Sequence, residues 1–296
     1  MEDQNENRNS DVDWSIFKNL AISSITRKQE DPSLSLPLAP PPEDETYTKR
    51  NRRGTAIIFN HKNFTIEDCS ARQGTDKDRD DLRSLLEELK FDVISHDDLT
   101  FMQIIEVLEV VSKMDHSESE CLFIAVMSHG DKGILFAKDR EYPTKRLWTF
   151  FSPIHCPSLA GKPKLFFIQA CRGNDTDPGV RVCYTERDSF NENNKTYSIP
   201  VMADILVMYA TVEGYFAWRD PRNGSYFIQS LVSQIRKHRQ SKDLLSILTC
   251  VNREVAIGFT SAEPRCSQLD GKKEMCSIVS MLTRSYYLDD NEENQL

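Results

Sequence analysis

The pattern of hydrophobic and polar positions changes near residue 55. After that point, short apolar runs alternate with stretches that are apolar at helical spacing. The apolar runs predict β-strands at 56–59, 91–94, 122–127, 165–168 and 278–282, and another apolar run stands at 205–209. The run 122–127 has no polar alternation, which is typical of a strand covered on both faces in a parallel sheet.

Helical spacing predicts the elements between these runs. The predicted helices lie at 82–89, 100–111, 226–238 and 244–255. Thr100 and Gln103 have the spacing of a capping box, which begins the second of these helices. Strands that alternate with helices predict an α/β fold with a mostly parallel central sheet and helices on both faces.

Two segments differ from this pattern. Residues 1–54 are polar and proline-rich, so we expect a disordered extension that cannot bury enough apolar surface to fold. It ends in the basic residues Lys49, Arg50, Arg52 and Arg53, which we interpret as a solvated run, with a docking or import signal as the alternative. The polar stretch 172–198 predicts an exposed segment inside the domain.

Charge and composition narrow the classes of partner. The chain of 296 residues has 37 Lys and Arg against 46 Asp and Glu, a net charge of −9. An acidic balance argues against nucleic acid or an anionic membrane as the main partner. The sequence has no signal peptide and no apolar run long enough to span a membrane, so we expect a cytoplasmic protein. The eight cysteines lack zinc-site spacing, and we predict free thiols and neither metal nor cofactor.

Reactive residues follow two of the apolar runs. His129 comes just after 122–127, and Cys171 comes just after 165–168. Neighbouring parallel strands would bring both to one sheet edge, where an imidazole can activate a thiolate nucleophile. Gly130 permits a close backbone approach, and its N–H and that of Cys171 are candidates for an oxyanion hole. Either residue alone is more often an inert thiol or an ordinary loop histidine.

The string Gln169-Ala170-Cys171-Arg172-Gly173 favours the catalytic interpretation, because it matches a local signature of caspases that also has a histidine upstream. Further strings resemble the same family in the same order; they are 59–64, 72–76, 128–130, 161–166, 214–219 and 277–283. Residues from about 55 to 288 therefore resemble a caspase catalytic domain. The region 164–173 is similar to that of insect effector caspases.

The resemblance implies roles for individual residues. Cys171 would be the nucleophile and His129 the acid and base, with the imidazole oriented by a backbone carbonyl near Ser70. Arg72, Gln169 and Arg219 resemble the family's pocket for the aspartate side chain of the substrate. Two guanidinium groups and an amide can bind a planar carboxylate and reject a neutral side chain.

The resemblance also places the neighbouring substrate subsites, whose candidate residues are Phe216, Ala217, Trp218, Asp220 and Tyr226. Phe216 and Trp218 would contact the residue before the aspartate. Asp220 and Tyr226 depart from the best-known executioner enzymes, which have asparagine and tryptophan there. A carboxylate at the fourth subsite would repel an acidic residue, so we expect tolerance of Thr, Val or Ile four residues before the cut.

A processing site is predicted in the polar stretch. Asp188 precedes the small residue Ser189, so we expect a zymogen that is activated by cleavage after Asp188. The predicted organisation is a prodomain at 1–54, a large subunit at 55–188 and a small subunit at 189–296, of which 189–198 is linker.

The family resemblance implies an Asp-specific cysteine endopeptidase that executes apoptosis. The short extension favours the executioner type. The implied partners are proteins with exposed Asp-containing segments, a second copy of the chain paired through 278–283, an upstream initiator caspase and inhibitor-of-apoptosis proteins. The alternative is a catalytically inactive scaffold of the same fold that regulates another protease.

Overall fold

A computed structural model describes residues 44–67, 69–177, 202–262, 266 and 268–289. Its strands are β1 (Thr55–Asn60), β2 (Asp92–Asp97), β3 (Leu122–Met127), β4 (Gly130–Asp131), β5 (Ile134–Phe136), β6 (Glu141–Pro143), β7 (Lys164–Gln169), β8 (Ile205–Tyr209), β9 (Arg219–Asp220), β10 (Gly224–Ser225) and β11 (Ser277–Ser280). Its α-helices are α1 (Thr75–Glu88), α2 (Phe101–Ser112), α3 (Arg146–Thr149), α4 (Tyr226–His238) and α5 (Leu244–Gly258).

Six strands form the central sheet in the order β11-β8-β7-β3-β1-β2. All neighbours are parallel except β11, which pairs antiparallel with β8. The predicted α/β fold with a mostly parallel sheet is confirmed. The second strand begins at Asp92 and continues to Asp97, beyond the predicted run 91–94.

Helices cover both faces of this sheet. Ile58 faces a buried cluster shared with α1, α4 and α5, whereas its neighbours Ile57 and Phe59 face a second cluster shared with α2. Successive side chains of a strand point to opposite faces, so covering both faces requires an uninterrupted apolar sequence. The capping box of α2 is present, with hydrogen bonds in both directions between Thr100 and Gln103.

The segment before β1 contacts the domain and corrects part of the predicted extension. Tyr47 is 6% exposed, and residues 45 and 47 exchange backbone hydrogen bonds with Ser285. Arg53 pairs with Glu120 at 2.5 Å and is not part of a solvated run. This segment packs on the domain because of contacts with residues near the end of the chain, and local composition does not indicate such contacts. Residues 1–43 and the linker 189–198 lie outside the described residues.

Candidate active site

The ends of β3 and β7 bring His129 and Cys171 together. In the parallel pairing of these strands, Met127 lies opposite Gln169. His129 and Cys171 each follow two residues later, so both stand at the same edge of the sheet. They line one cavity of about 240 Å³. Arg72, Gln169, Phe216, Ala217, Trp218 and Arg219 line the same cavity.

A backbone carbonyl holds the His129 ring. Its Nε2 lies 2.8 Å from the carbonyl oxygen of Ser70. A carbonyl can only accept, so Nε2 carries the proton and Nδ1 keeps a free lone pair. The ring also packs against Phe64, with 4.9 Å between centroids. Burial lowers the pKa of the imidazole, and the charges of Arg72 and Arg219 lower it further. The neutral ring can therefore accept a proton through Nδ1.

Cys171 is a thiol in this arrangement. Its Sγ donates to the carbonyl oxygen of Ala217 at 3.8 Å and not to the imidazole. Burial raises the pKa of the thiol. Attack by the sulfur therefore requires proton transfer to a base, and His129 on the same cavity wall is the available base.

Gly130 lies close to the nucleophile's backbone. A Cβ at this position would stand 2.7 Å from the carbonyl oxygen of Cys171 and 2.9 Å from that of Ile134. Contacts below 3 Å are not tolerated by a real Cβ, so only glycine fits here without a backbone shift. The backbone of Gly130 therefore lies close to that of Cys171, as an oxyanion hole built from the N–H groups of both residues would need.

Arg72 is the most unusual group in the cavity. It is 1% exposed, and one terminal nitrogen donates to the carbonyl of His61 and to the hydroxyl of Thr75, each at 2.8 Å. Its Nε and Nη2 are buried without a hydrogen-bond partner among the described residues. Burial lowers the pKa of this guanidinium. A cation with unused donors is stabilised by a carboxylate that enters the cavity.

Arg219 and Gln169 complete the polar wall. The Nε of Arg219 donates to the carbonyl of Gln73 at 2.7 Å, and the two terminal nitrogens take no part in this hydrogen bond. The Oε1 of buried Gln169 has no partner in the described part of the chain. Neither arginine forms an ion pair with a carboxylate of the described residues, although Asp78 lies near both. Both oxygens of Asp78 accept the backbone N–H of Ser225 instead.

A second cavity, of about 360 Å³, adjoins the first, and three aromatic residues line it together with several polar residues. Trp218 contacts Phe216 and Phe259, with ring centroids 5.4 and 5.9 Å apart. Tyr226 packs against Phe259 at 5.4 Å. Such a wall favours an apolar side chain.

Asp220 contributes a carboxylate to the same cavity. Its Oδ1 accepts the backbone N–H groups of Arg222 and Asn223 at 2.8 and 2.7 Å. These hydrogen bonds lower the pKa of the carboxyl, with that from Asn223 the larger cause. The aromatic cavity therefore has a fixed negative charge at its edge.

Three residues of the site are not among those that the sequence predicts. Phe259 follows α5 and closes the aromatic cavity, Leu269 lines the cavity of Cys171, and Glu274 accepts the backbone N–H of Trp218. Phe259 gave a weak signal, as an apolar residue just beyond a helical pattern. Leu269 and Glu274 stand in a polar loop with no periodicity, and their positions depend on long-range contacts.

Two further structural observations concern metal ligands and membrane-spanning helices. Within the described ranges, no group of three or more His, Cys, Asp or Glu residues could hold a metal ion. The same part of the chain contains no helix with the length and hydropathy of a membrane span. Asp188, the predicted processing site, lies outside the described residues.

Comparison with known proteins gives concordant matches. A family model described as the caspase domain matches residues 53–287. Caspase drICE of Drosophila melanogaster is 38% identical over 247 residues, which cover 83% of this chain and 73% of that protein. Caspase-3 of Mesocricetus auratus is 39% identical over 286 residues, 95% of this chain and 99% of that protein. The crystal structure of caspase-1 from Spodoptera frugiperda superposes with a TM-score of 0.78 at 39% identity, covering 84% of this chain and 97% of that one.

Proposed function

The chain belongs to the caspase family and is a cysteine-type endopeptidase, and we propose that it cleaves proteins after aspartate with Cys171 as nucleophile and His129 as acid and base. Protein substrates and dimeric assembly accord with membership of this family. We further propose that the enzyme is cytoplasmic and executes apoptosis. The expected regulators are an initiator caspase, which would activate it, and inhibitor-of-apoptosis proteins.

The buried guanidinium of Arg72 carries the proposal for aspartate specificity. Arg72, whose Nε and Nη2 have no hydrogen-bond partner among the described residues, lines the same cavity as Cys171 and Arg219. The carboxylate of a substrate aspartate would pair with these donors and replace the lost hydration. An asparagine side chain would leave the cations uncompensated, so we expect discrimination of about 10⁴-fold.

The catalytic sequence follows from the positions of the two reactive groups. When substrate binds, the Sγ of Cys171 leaves its hydrogen bond to Ala217 and transfers its proton to Nδ1 of His129. The thiolate attacks the backbone carbonyl carbon of the aspartate, and the N–H groups of Gly130 and Cys171 stabilise the oxyanion. The imidazolium then protonates the nitrogen of the scissile bond, the C–N bond breaks, the amine leaves, and the aspartyl group remains on Cys171 as a thioester. Water activated by the neutral imidazole hydrolyses that thioester and restores the thiol.

A fluorogenic peptide that ends in aspartate tests this function. We expect cleavage by the wild type, none by Cys171→Ala, and an unchanged rate for Cys250→Ala, a free thiol on α5. Equal cleavage of the matching asparagine peptide would contradict aspartate specificity. A correctly folded wild type without activity, even after linker cleavage, would instead favour the inactive scaffold.

Activation is proposed to occur by cleavage after Asp188, which gives subunits 55–188 and 189–296 after the prodomain 1–54. The sequence Thr-Glu-Arg-Asp before the cut has threonine in the fourth place, as the charge of Asp220 favours. Asp188→Ala should remove the two fragments seen by mass spectrometry. Asp177→Ala, which changes an aspartate followed by proline, should leave them unchanged. Fragments of wild-type mass from Asp188→Ala would refute the assignment.

A further inference from the structure

Glu274 is a buried acid in the loop between α5 and β11. It is 2% exposed. Its Oε1 accepts the backbone N–H of Trp218 at 3.0 Å, and its Oε2 is buried without a hydrogen-bond partner in the described part of the chain. A single N–H donor is poor solvation for a carboxylate, so this environment favours the protonated acid.

In the part of the chain that the structure describes, no cation forms an ion pair with Glu274. The titratable groups there that interact with it are the thiols of Cys276, on its own loop, and Cys171. The preceding Lys273 directs its Nζ to the carbonyls of Ile257 and Phe259. Burial raises the pKa of the Glu274 carboxyl to about 8. The group is therefore mostly neutral at pH 7.

The backbone that Glu274 holds is the wall of the substrate site. The carbonyl of Ala217 accepts the Cys171 thiol, the Trp218 ring lines the aromatic cavity, and Arg219 lines the aspartate pocket. One hydrogen bond to the N–H of Trp218 thus fixes a three-residue stretch on which all these contacts depend. Loss of that bond would displace several substrate contacts together.

We propose that Glu274 is a positioning residue for proteolysis, which holds the 217–219 wall through the hydrogen bond that it accepts from Trp218 and opposes formation of the Cys171 thiolate when it ionises. The inference rests on the proposed function of the site. Ionisation strengthens the hydrogen bond from Trp218, because a charged acceptor binds an N–H more tightly than a neutral one. The negative charge of ionised Glu274 opposes formation of the Cys171 thiolate. This repulsion lowers activity on the alkaline side.

The pH profile of Glu274→Gln tests the proposal. The amide keeps an oxygen that can accept from Trp218 but has no charge to lose, whereas Glu274→Met removes the acceptor. Since Cys171 and His129 also titrate, the quantity to compare is the ratio of kcat/KM between variant and wild type at each pH. For a pKa of about 8, the ratio for Glu274→Gln should rise about tenfold from pH 7 to pH 9. Glu274→Met should be impaired at every pH.

A fluorescence titration separates this inference from the proposed function, because it needs no catalysis. In the Cys171→Ala background, Trp218 emission should change between pH 7 and pH 9 and should stay constant when Glu274→Gln is added. The other tryptophans, Trp14 and Trp148, are common to both proteins. Wild type that cleaves no aspartate peptide would refute the proposed function alone. A flat kcat/KM ratio, or a titration that Glu274→Gln does not abolish, would overturn the role of Glu274.

Discussion

Two arginines, one buried and one partly buried, predict opposite outcomes when each is replaced by methionine. Arg53 has an ion pair with Glu120 at 2.5 Å and further hydrogen bonds to the carbonyls of Leu89 and Leu288. Arg72 has hydrogen bonds to His61 and Thr75 but leaves Nε and Nη2 unused. Arg72 is 1% exposed, whereas the Arg53 side chain is 11% exposed, so burial alone would predict the larger loss of stability for Arg72→Met.

The expected changes in unfolding free energy follow from these hydrogen-bond and ion-pair partners. Arg53→Met leaves Glu120, whose side chain is 8% exposed, with only the longer ion pair to Lys49 at 3.7 Å and the hydroxyl of Tyr286 at 3.4 Å. It also removes the hydrogen bonds to Leu89 and Leu288. Since hydrogen bonds from a charged donor are worth about 1.5–3 kcal/mol each, we expect a loss of about 3 kcal/mol or more of unfolding free energy. Arg72→Met gives up two charge-assisted hydrogen bonds, each worth about 1.5–3 kcal/mol, but also removes two unsatisfied donors that cost about 1–3 kcal/mol each. These effects nearly cancel. We expect Arg72→Met to change the unfolding free energy by less than about 2 kcal/mol.

Denaturant unfolding in the Cys171→Ala background measures the stabilities without self-cleavage, and kcat/KM is measured in the active background. Arg72→Met should lose at least about 10³-fold in kcat/KM for an aspartate peptide while remaining nearly as stable as its parent. Arg53→Met should lose stability and keep kcat/KM at temperatures where it is folded. The reasoning fails if Arg72→Met is destabilised as much as Arg53→Met, because Arg72 would then be a structural anchor.

Three further changes probe other parts of the molecule. Gly130→Ala should lower kcat/KM by about 10²-fold or more, since its Cβ would stand 2.7 Å from the carbonyl of Cys171; unchanged kinetics would exclude this tight contact. Asp220→Asn should raise cleavage of peptides with aspartate in the fourth place by several-fold in a positional library, and strong preference for that aspartate by the wild type would contradict the charge argument. Thr100→Ala removes the capping box and should lower the unfolding free energy by about 1 kcal/mol without changing kcat/KM, whereas an activity loss would show unexpected coupling to the site.

The parts of the fold that sequence predicts are those where burial imposes a local pattern. β3 and β7 are covered on both faces, so each reads as an unbroken apolar run. Their adjacency and parallel register then determine which side chains meet at the edge. His129 and Cys171 stand at equivalent distances beyond these strands, which is why strand ends and a short motif were sufficient to bring them together.

The parts that sequence does not predict depend on contacts between distant segments. Tyr47 is buried because its backbone pairs with Ser285 and its hydroxyl donates to Asp204 at 2.7 Å. The composition of residues 44–53 does not indicate those partners. In the same way, the apolar run that becomes β11 predicts a strand but not its antiparallel pairing with β8.

Arg72 and Glu274 show why the chemistry of the site is the hardest part to predict. Each is an ionisable residue enclosed with unsatisfied polar atoms, an arrangement that folding alone disfavours. Arg72 lines the cavity of Cys171, whereas Glu274 contacts the backbone of Trp218, which lines that cavity. Arg72 remains a cation that an anion would stabilise, and Glu274 is held neutral by burial. A substrate carboxylate would satisfy the first, whereas ionisation of the second would add a negative charge behind the thiol. Local sequence reports residue type, but these properties arise only when distant segments remove both groups from water.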